Sequence, residues 1–281
     1  MDTNNNRVHY YYADASGLGG NIERPIKKPI PVQAPLSLLP VGGHASANAK
    51  GFDFEGIFSF KGAHTQVSGS RSEKSGGWTT LASASVEGLN VSDVVTADLV
   101  VAQISTDHPA VGYVPSISFV GTQFQNLKIA GRKVEVVLNL NKLSSGNGAH
   151  YPTEPHWRNQ NLREAVGKQH ERMINASQQS GDQDKSFSEW LKNRYQGNGS
   201  NDRLDEKGAV LCSLVDEVQG TSSGKTYGHV ICVPDFGKII LGELILEQNS
   251  YHLTMIRLEL GSPTQGCTTF AATTGGGSTH P

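Results

Sequence analysis

Trp78-Thr-Thr-Leu-Ala-Ser-Ala-Ser-Val-Glu-Gly-Leu-Asn-Val91, followed by Val94-Val-Thr-Ala-Asp-Leu-Val-Val-Ala-Gln-Ile104, is the stretch that decides the fold. Apolar and small polar residues alternate with a period of two, the spacing that puts every second side chain on one face of a strand. In the second segment Val95, Ala97, Leu99 and Val101 share one face, and Val94, Thr96, Asp98, Val100 and Ala102 the other. Only Asp98 is strongly polar, so this strand is expected to be covered on most of both sides. After a turn containing proline the pattern returns as Ser118-Phe-Val-Gly-Thr-Gln-Phe-Gln-Asn-Leu-Lys-Ile-Ala-Gly131 and Val134-Glu-Val-Val-Leu-Asn-Leu140. Val86–Asp93 and Phe124–Gly131 echo each other, with Leu89 and Leu127 at equivalent places. Each copy reads as alternating apolar residues, a turn and a second apolar strand, which is a hairpin used twice within one sheet system.

Upstream, Arg7-Val-His-Tyr-Tyr-Tyr-Ala-Asp14 reads as a first strand at a sheet edge, its three tyrosines placing rings on both faces. Gly17-Leu-Gly-Gly20 lacks the Gly-Lys-Ser/Thr ending of a phosphate loop. Prolines at 25, 29, 31, 35 and 40 forbid a central strand and favour an extended connection along the outside. Phe52, Phe54, Phe58 and Phe60 sit at even spacings and are expected on one face of a strand pair. Downstream, residues 144–206 shift to Asn, Gln, Ser, Gly and charge. A helix is read over 157–176, with Leu162, Val166 and Met173 on one stripe. A second is read after the capping box Ser186-Phe-Ser-Glu189, with Trp190, Leu191 and Tyr195 at helical spacing and Gly197 ending it. Strands return over 209–218, 227–233, 238–247 and 252–260. In the last, Thr254, Ile256, Leu258 and Leu260 face one way and Met255, Arg257 and Glu259 the other. The Gly/Ser/Thr-rich residues 273–281 read as a frayed tail. The fold class is therefore all-β: two packed antiparallel sheets, sandwich or jelly-roll-like, in a single domain over 1–281 with a helical insertion at 144–206.

The chain is long enough for one large core, and its 24 basic and 26 acidic residues leave a formal net charge of −2. That balance gives no electrostatic reason to expect nucleic acid or an anionic membrane as partner. No run of 18 apolar residues occurs, so membrane insertion by a helix is not expected. Of the three cysteines, Cys212 and Cys232 could bridge two strands, or all three could be buried thiols. The polar Met1-Asp-Thr-Asn-Asn-Asn6 is followed by no apolar signal-peptide core. Cytoplasmic residence, export without a cleaved signal, and a processed chain with an added Met are the readings it leaves.

Signatures of chemistry are sparse. There is no Gly-x-Ser-x-Gly, His-Glu-x-x-His or dinucleotide fingerprint, and no cofactor is implied. His150, Glu154 and His156 lie within seven residues of a proline-stiffened segment and are the candidate metal ligands. Tyr10, Tyr11, Tyr12, Trp78 and Trp157 are the candidate ligand-binding residues, as rings that could line a glycan groove. Asp98, Glu135, Glu243 and Glu247 lie on expected strands and are the acids a sugar-cleaving pair would draw on. Each reads more simply as structural or exposed.

Four segments resemble the choice-of-anchor P family of bacterial surface proteins. They are Ala13-Asp-Ala-Ser-Gly-Leu18 leading through the proline-rich run to Leu39-Pro-Val-Gly-Gly-His-Ala-Ser-Ala47; Ala82-Ser-Ala-Ser-Val-Glu-Gly-Leu-Asn-Val91 with Val95-Thr-Ala-Asp-Leu99; Phe124-Gln-Asn-Leu-Lys-Ile-Ala-Gly131; and Gly237-Lys-Ile-Ile-Leu-Gly-Glu243 with Leu253-Thr-Met-Ile-Arg-Leu-Glu-Leu260. The resemblance covers most of the chain outside 144–206. It implies an extracellular or cell-surface location and brings no catalytic residues with it. The reading is then a non-enzymatic bacterial surface or matrix protein that self-assembles by strand complementation, the tyrosine-rich first segment completing a neighbour's sheet. The alternative is a carbohydrate-binding or carbohydrate-active protein.

Overall fold

The computed structural model describes residues 7–73, 75–143, 151–179, 185–195, 209–220 and 224–280. In chain order the strands are β1 (Val8–Arg24), β2 (Lys28–Gln33), β3 (Leu36–Ser37), β4 (Gly43–Phe54), β5 (Phe58–Arg71), β6 (Trp78–Val91), β7 (Val95–His108), β8 (Ser116–Ser118), β9 (Gln123–Gln125), β10 (Lys128–Ile129), β11 (Arg132–Lys133) and β12 (Glu135–Leu138). A 3-10 turn (His156–Arg158) and helices α1 (Gln160–Gln179) and α2 (Lys185–Tyr195) follow. Then come β13 (Val210–Ser213), β14 (Val215–Gln219), β15 (Lys225–Tyr227), β16 (Val230–Val233), β17 (Gly237–Leu246), β18 (Ser250–Leu260) and β19 (Gln265–His280).

Two large antiparallel sheets pack face to face, as the alternation predicts. Sheet A runs β15-β16-β17-β18-β19-β1-β2, with β13 on β17 and β3 on β1. Sheet B runs β11-β10-β7-β6-β5-β4, with β8 and β9 also on β7. One continuous core lies between them, built from residues such as Leu18, Phe58, Val86, Val100, Ile104, Phe270 and Leu253. The four phenylalanines behave as their spacing predicts: Phe52 pairs with Phe60 and Phe54 with Phe58 across the β4–β5 hairpin. The second copy of the hairpin echo is β10–β11, only two residues a side, appended to β7 in the same sheet.

Period two is broken at the same level in every one of the eight long strands, four in each sheet, and β1 has a further irregularity between Ile22 and Arg24. In sheet A, Gly17, Ala271, Met255 and Gly242 fall between paired neighbours. In sheet B, Gly51, Lys61, Gly88 and Asp98 do so. A skipped residue flips the strand beyond it to the other face. The inward residue therefore passes from Ala15 to Leu18, from Val86 to Leu89 and from Ala97 to Val100. This corrects the face assignments made for 94–104 and 252–260: Val100, Ala102 and Ile104 join Val95 and Ala97 inside, and Met255 and Ile256 are both buried. Asp98, at the skip, is exposed and accepts from Asn126 Nδ2 at 2.6 Å.

Two further readings change. The first strand is longer than read: β1 has 17 residues, and its Asp14–Ile22 part lies between β19 and β2/β3, whereas Val8–Ala13 has β19 as its only strand partner among the described residues and is met on the other side by Pro40, which accepts from the Tyr11 N–H, and Leu38, which donates to the Ala13 carbonyl. Residues 273–280 are no frayed tail, because β19 is an interior strand that pairs with β1 from Val8↔His280 to Ala15↔Thr273 and with β18 on its other side. Composition misled here because Gly275 and Gly277 sit where neighbouring side chains leave little room for a Cβ. A Cβ on the first would meet Ile104 at 3.0 Å, and on the second His9 at 2.5 Å. The proline-rich run supplies β2 and β3, both on the outside, as proline requires.

The helical insertion forms with adjusted ends. Asn159 caps α1, its Oδ1 accepting from the Leu162 N–H at 2.9 Å, so the helix starts at Gln160. α2 starts at Lys185, which puts Ser186 inside its first turn and not at the cap. Gly197 lies outside the described residues. Met173, Phe187, Leu191 and Tyr195 pack on Leu211, Tyr227, Val230 and Ile240. Ile239 and Leu241 belong to the main core, so Ile240 faces out and the helices roof the outer face of sheet A over β16 and β17. None of the described helices is long and apolar enough to cross a membrane.

Candidate functional site

The part of the outer face of sheet A formed by β19 and the first halves of β18 and β1 carries none of the described helices, whereas the Arg257–Glu259 part of β18 lies under α2. Alternation along β1 sends His9, Tyr11, Ala13 and Ala15 inward and Val8, Tyr10, Tyr12, Asp14 and Ser16 outward. Tyr10 and Tyr12 are 50% and 45% exposed. They lie across from Ser278 and Gly276 on β19, small residues that do not cover the rings, and Tyr10 meets His280 edge-on at 5.7 Å. The Asp14 carboxylate facing the Tyr12 hydroxyl, together with partial burial, pushes that phenol up to about 12. Farther across the floor His252 Nδ1 meets Thr274 Oγ1 at 2.9 Å, and Ser250 Oγ donates to Glu247 Oε2 at 2.9 Å. Ser250 Oγ is also 3.2 Å from His252 Nε2. The second ring nitrogen of His252 meets a threonine and not a carboxylate, so this is not the base-and-orienter relay that activates a serine.

Tyr11 and Trp78 sit elsewhere. Tyr11 points into the sandwich. Trp78 stacks on His9 at 5.1 Å, and His9 in turn lies 4.6 Å from His108. The Nε2 atoms of His9 and His108 are both buried without a hydrogen-bond partner. Burial lowers His9 to about 4, and burial plus the neighbouring imidazole lowers His108 to about 3. Both rings are therefore neutral packing elements at neutral pH. Trp157 lies under the Arg158 guanidinium, 4.5 Å from its ring centre, far along the chain from the tyrosine floor. The five aromatic candidates thus divide among three places, and only Tyr10 and Tyr12 share an open surface.

Of the metal candidates, His150 lies outside the described residues. His156 is buried and its Nε2–H donates to the Pro115 carbonyl at 3.2 Å, while Glu154 accepts from Asn159 beside the start of α1. Burial lowers His156, which keeps the ring neutral. Among the described residues no three His, Cys, Asp or Glu side chains come together as metal ligands. The cysteine bridge is also out of reach. Cys212 pairs opposite Leu244 and Cys232 opposite Lys238 on the same strand. Six residues of β17 hold them ~20 Å apart, several times the span of a disulfide.

A family model matches residues 9–247, described as a domain of unknown function, DUF8256. The chain belongs to that family. The match runs from His9 on β1 to Glu247 just after β17, so the DUF8256 span holds Tyr10, Tyr12, Asp14 and Glu247. The sheet that carries them is completed by β18 and β19 beyond it. Neither the curated proteins nor the solved structures contain a match to this chain.

Two features of the DUF8256 chain had no counterpart in the sequence reading. The first is a buried ion cluster under α2. Glu243 is 1% exposed; Arg194 Nη2 donates to its Oε1 and Arg257 Nε to its Oε2 at 2.7 Å. Arg194 also reaches Glu259 at 3.6 Å, and Trp190 lies against Arg194 and Lys238. Nearby, His229 Nε2 and the Tyr195 hydroxyl are hydrogen-bonded at 3.0 Å. All these groups pair with one another, so the cluster pins the roof to the sheet. The second feature is the edge at β4. The free side of β7 is covered in succession by β10, β9 and β8. β2 carries Pro29 and Pro31. Among the described residues β4, twelve residues long, pairs with β5 alone. Alternation in the sequence shows that a strand exists but not which strand ends a sheet, so this edge was not legible there.

Proposed function

We propose that the protein is a non-enzymatic structural module of a bacterial surface or matrix, and that its copies associate by strand addition at β4. The open β4 edge carries the reading. Natural sheets guard long edges with proline, charge, bulges or covering segments. β2 and β7 follow that rule, while the middle of β4, Ala45-Ser-Ala-Asn-Ala49, is small and uncharged. Small side chains let a second backbone approach, and main-chain hydrogen bonds supply the affinity. Two β4 strands paired antiparallel about a two-fold axis would join two eight-stranded sheets, and such an isologous contact closes at a dimer. β1, paired along its length with β19 and held by β2 and β3 over Asp14–Ile22, stays in its own sheet in this scheme, and β4 takes the role expected of the tyrosine-rich segment. The surface location is supported by the likeness of four segments to the choice-of-anchor P family.

Sedimentation velocity tests the edge. Wild-type chain is expected to sediment as a concentration-dependent dimer, and a Ser46→Lys/Asn48→Lys variant as a monomer of unchanged fold. A monomeric wild type at high concentration, or a variant that still dimerises, sinks the proposal.

A further inference from the structure

The tyrosine floor of sheet A is the second open surface, separate from the β4 edge, which belongs to sheet B. We propose that this floor binds a neutral polysaccharide, sugar rings stacking on Tyr10 and Tyr12 and hydroxyls donating to Asp14 and Glu247.

Placement on one strand, two residues apart, sets the two phenol rings on the same face ~7 Å from each other. Both expose about half their surface, and the residues opposite them, Ser278 and Gly276, are too small to cover the rings. The electron-rich face of an aromatic ring attracts the weakly positive C–H bonds on one side of a sugar. The equatorial hydroxyls of that sugar then point sideways, into the plane where Asp14, Glu247, Ser250, His252 and Thr274 lie. Polar groups beside the rings are already held in place: His252 by Thr274, and Ser250 by Glu247. Ordering them on binding therefore costs little.

Charge decides the class of polymer. The segments that build the floor, Val8–Ser16, Ser250–Thr254 and Ala272–His280, contain no lysine or arginine. Its formal charges are the carboxylates Asp14 and Glu247. An anionic polymer or a phosphate is repelled there. An uncharged polyol is accepted, because its hydroxyls donate to carboxylates in charge-assisted hydrogen bonds. A sheet face with two rings in line along one strand suits the side of an extended chain better than a chain end.

Affinity gel electrophoresis tests this with a soluble β-glucan, a galactomannan, a soluble α-glucan and alginate cast into the gel. Retardation by at least one neutral polymer and not by alginate is expected. Tyr10→Ala and Tyr12→Ala should each weaken binding about tenfold, and Asp14→Asn by a similar factor, with thermal unfolding of each variant confirming an intact fold. The Ser46→Lys/Asn48→Lys variant should bind as wild type does, which separates this surface from the dimer edge. No retardation by any neutral polymer, equal retardation of the Tyr10→Ala/Tyr12→Ala double variant, or stronger retardation by alginate would each overturn the assignment. So would chemical-shift changes at the tyrosines produced by choline chloride alone, which would mark a site for quaternary ammonium groups.

Discussion

Replacing Glu243 by alanine should unfold the chain far more readily than any surface substitution. The carboxylate is 1% exposed and lies between the guanidiniums of Arg194 and Arg257, which are 22% and 26% exposed. Its removal leaves two cations facing each other beneath α2. Breaking a buried pair by deleting one partner costs about 3–5 kcal/mol, because the remaining charge is left uncompensated. Arg194 keeps a second acid, Glu259, at 3.6 Å, which places the loss at the lower end of that range. For a domain of this size a loss of about 3 kcal/mol lowers the melting temperature by roughly 5 °C. Urea unfolding followed by tryptophan fluorescence measures it directly, since Trp190 lies against Arg194. A triple variant, Glu243→Leu with Arg194→Met and Arg257→Met, should lose much less than Glu243→Ala, because it removes the desolvated charges together. A single-variant loss under about 1 kcal/mol would refute the reasoning, as would a triple variant weaker than the single.

Stability should also fall on mild acidification. His229 is buried and held down to about 3, chiefly by desolvation, with His170, Lys142 and Arg194 adding like charge. The folded value lies below that of the unfolded chain, so the unfolded chain takes up the proton first. Stability is then complete above about pH 6.5 and declines as pH falls toward the folded value. From pH 6.5 to 5 this histidine alone should cost about 2 kcal/mol, and His229→Gln should flatten the slope of urea midpoint against pH. Deleting residues 273–281 removes the β19 partners of β1 from Val8 to Ala15 and of β18 from Ser250 to Leu253. The truncated chain should lose its cooperative thermal transition, whereas a dispensable tail would leave it unchanged.

The architecture was legible because it rests on alternation, which Trp78–Val91 and the Phe52–Phe60 hairpin display openly. The helical insertion was legible from Leu162, Val166 and Met173 and from the Trp190–Tyr195 spacing. The site was legible only in part. Three tyrosines in a row announced rings on both faces, but which face is bare depends on where α2 lies, and no local pattern encodes that. Glu243, Arg194 and Arg257 come from three elements that meet only in the folded chain. Residues 273–280 were misread for a related reason. Glycine favours turns in isolation, yet here its lack of a side chain is what lets β19 sit between β1 and β18 close against Ile104 and His9, and Thr273 and Thr274 are good strand residues in their own right.

The aligned skip across each sheet explains why a correct period gave wrong faces. A lone bulge shifts one strand by a residue and flips its far half, so pairing with a neighbour that keeps strict alternation would bury polar groups beyond it. Register survives only if every neighbour skips at the same level. The eight long strands do so: Ala15 to Leu18, Phe270 to Thr273, Leu253 to Ile256 and Leu241 to Leu244 in sheet A; Ala49 to Phe52, Phe60 to Ala63, Val86 to Leu89 and Ala97 to Val100 in sheet B. Glycine at 51, 88 and 242 adopts positive φ at the skip, where an L side chain is disfavoured, and at Gly88 a Cβ would also meet Lys61 at 2.7 Å. The skip has a consequence for the surface. It lets Tyr10, Tyr12 and Asp14 face outward above it while Leu18 and Ile22 face inward below it, on one unbroken strand. Strict alternation from His9 onward would instead have turned Asn21 and Glu23 into the core. The bare floor and the filled core of β1 are therefore two outcomes of one three-residue step.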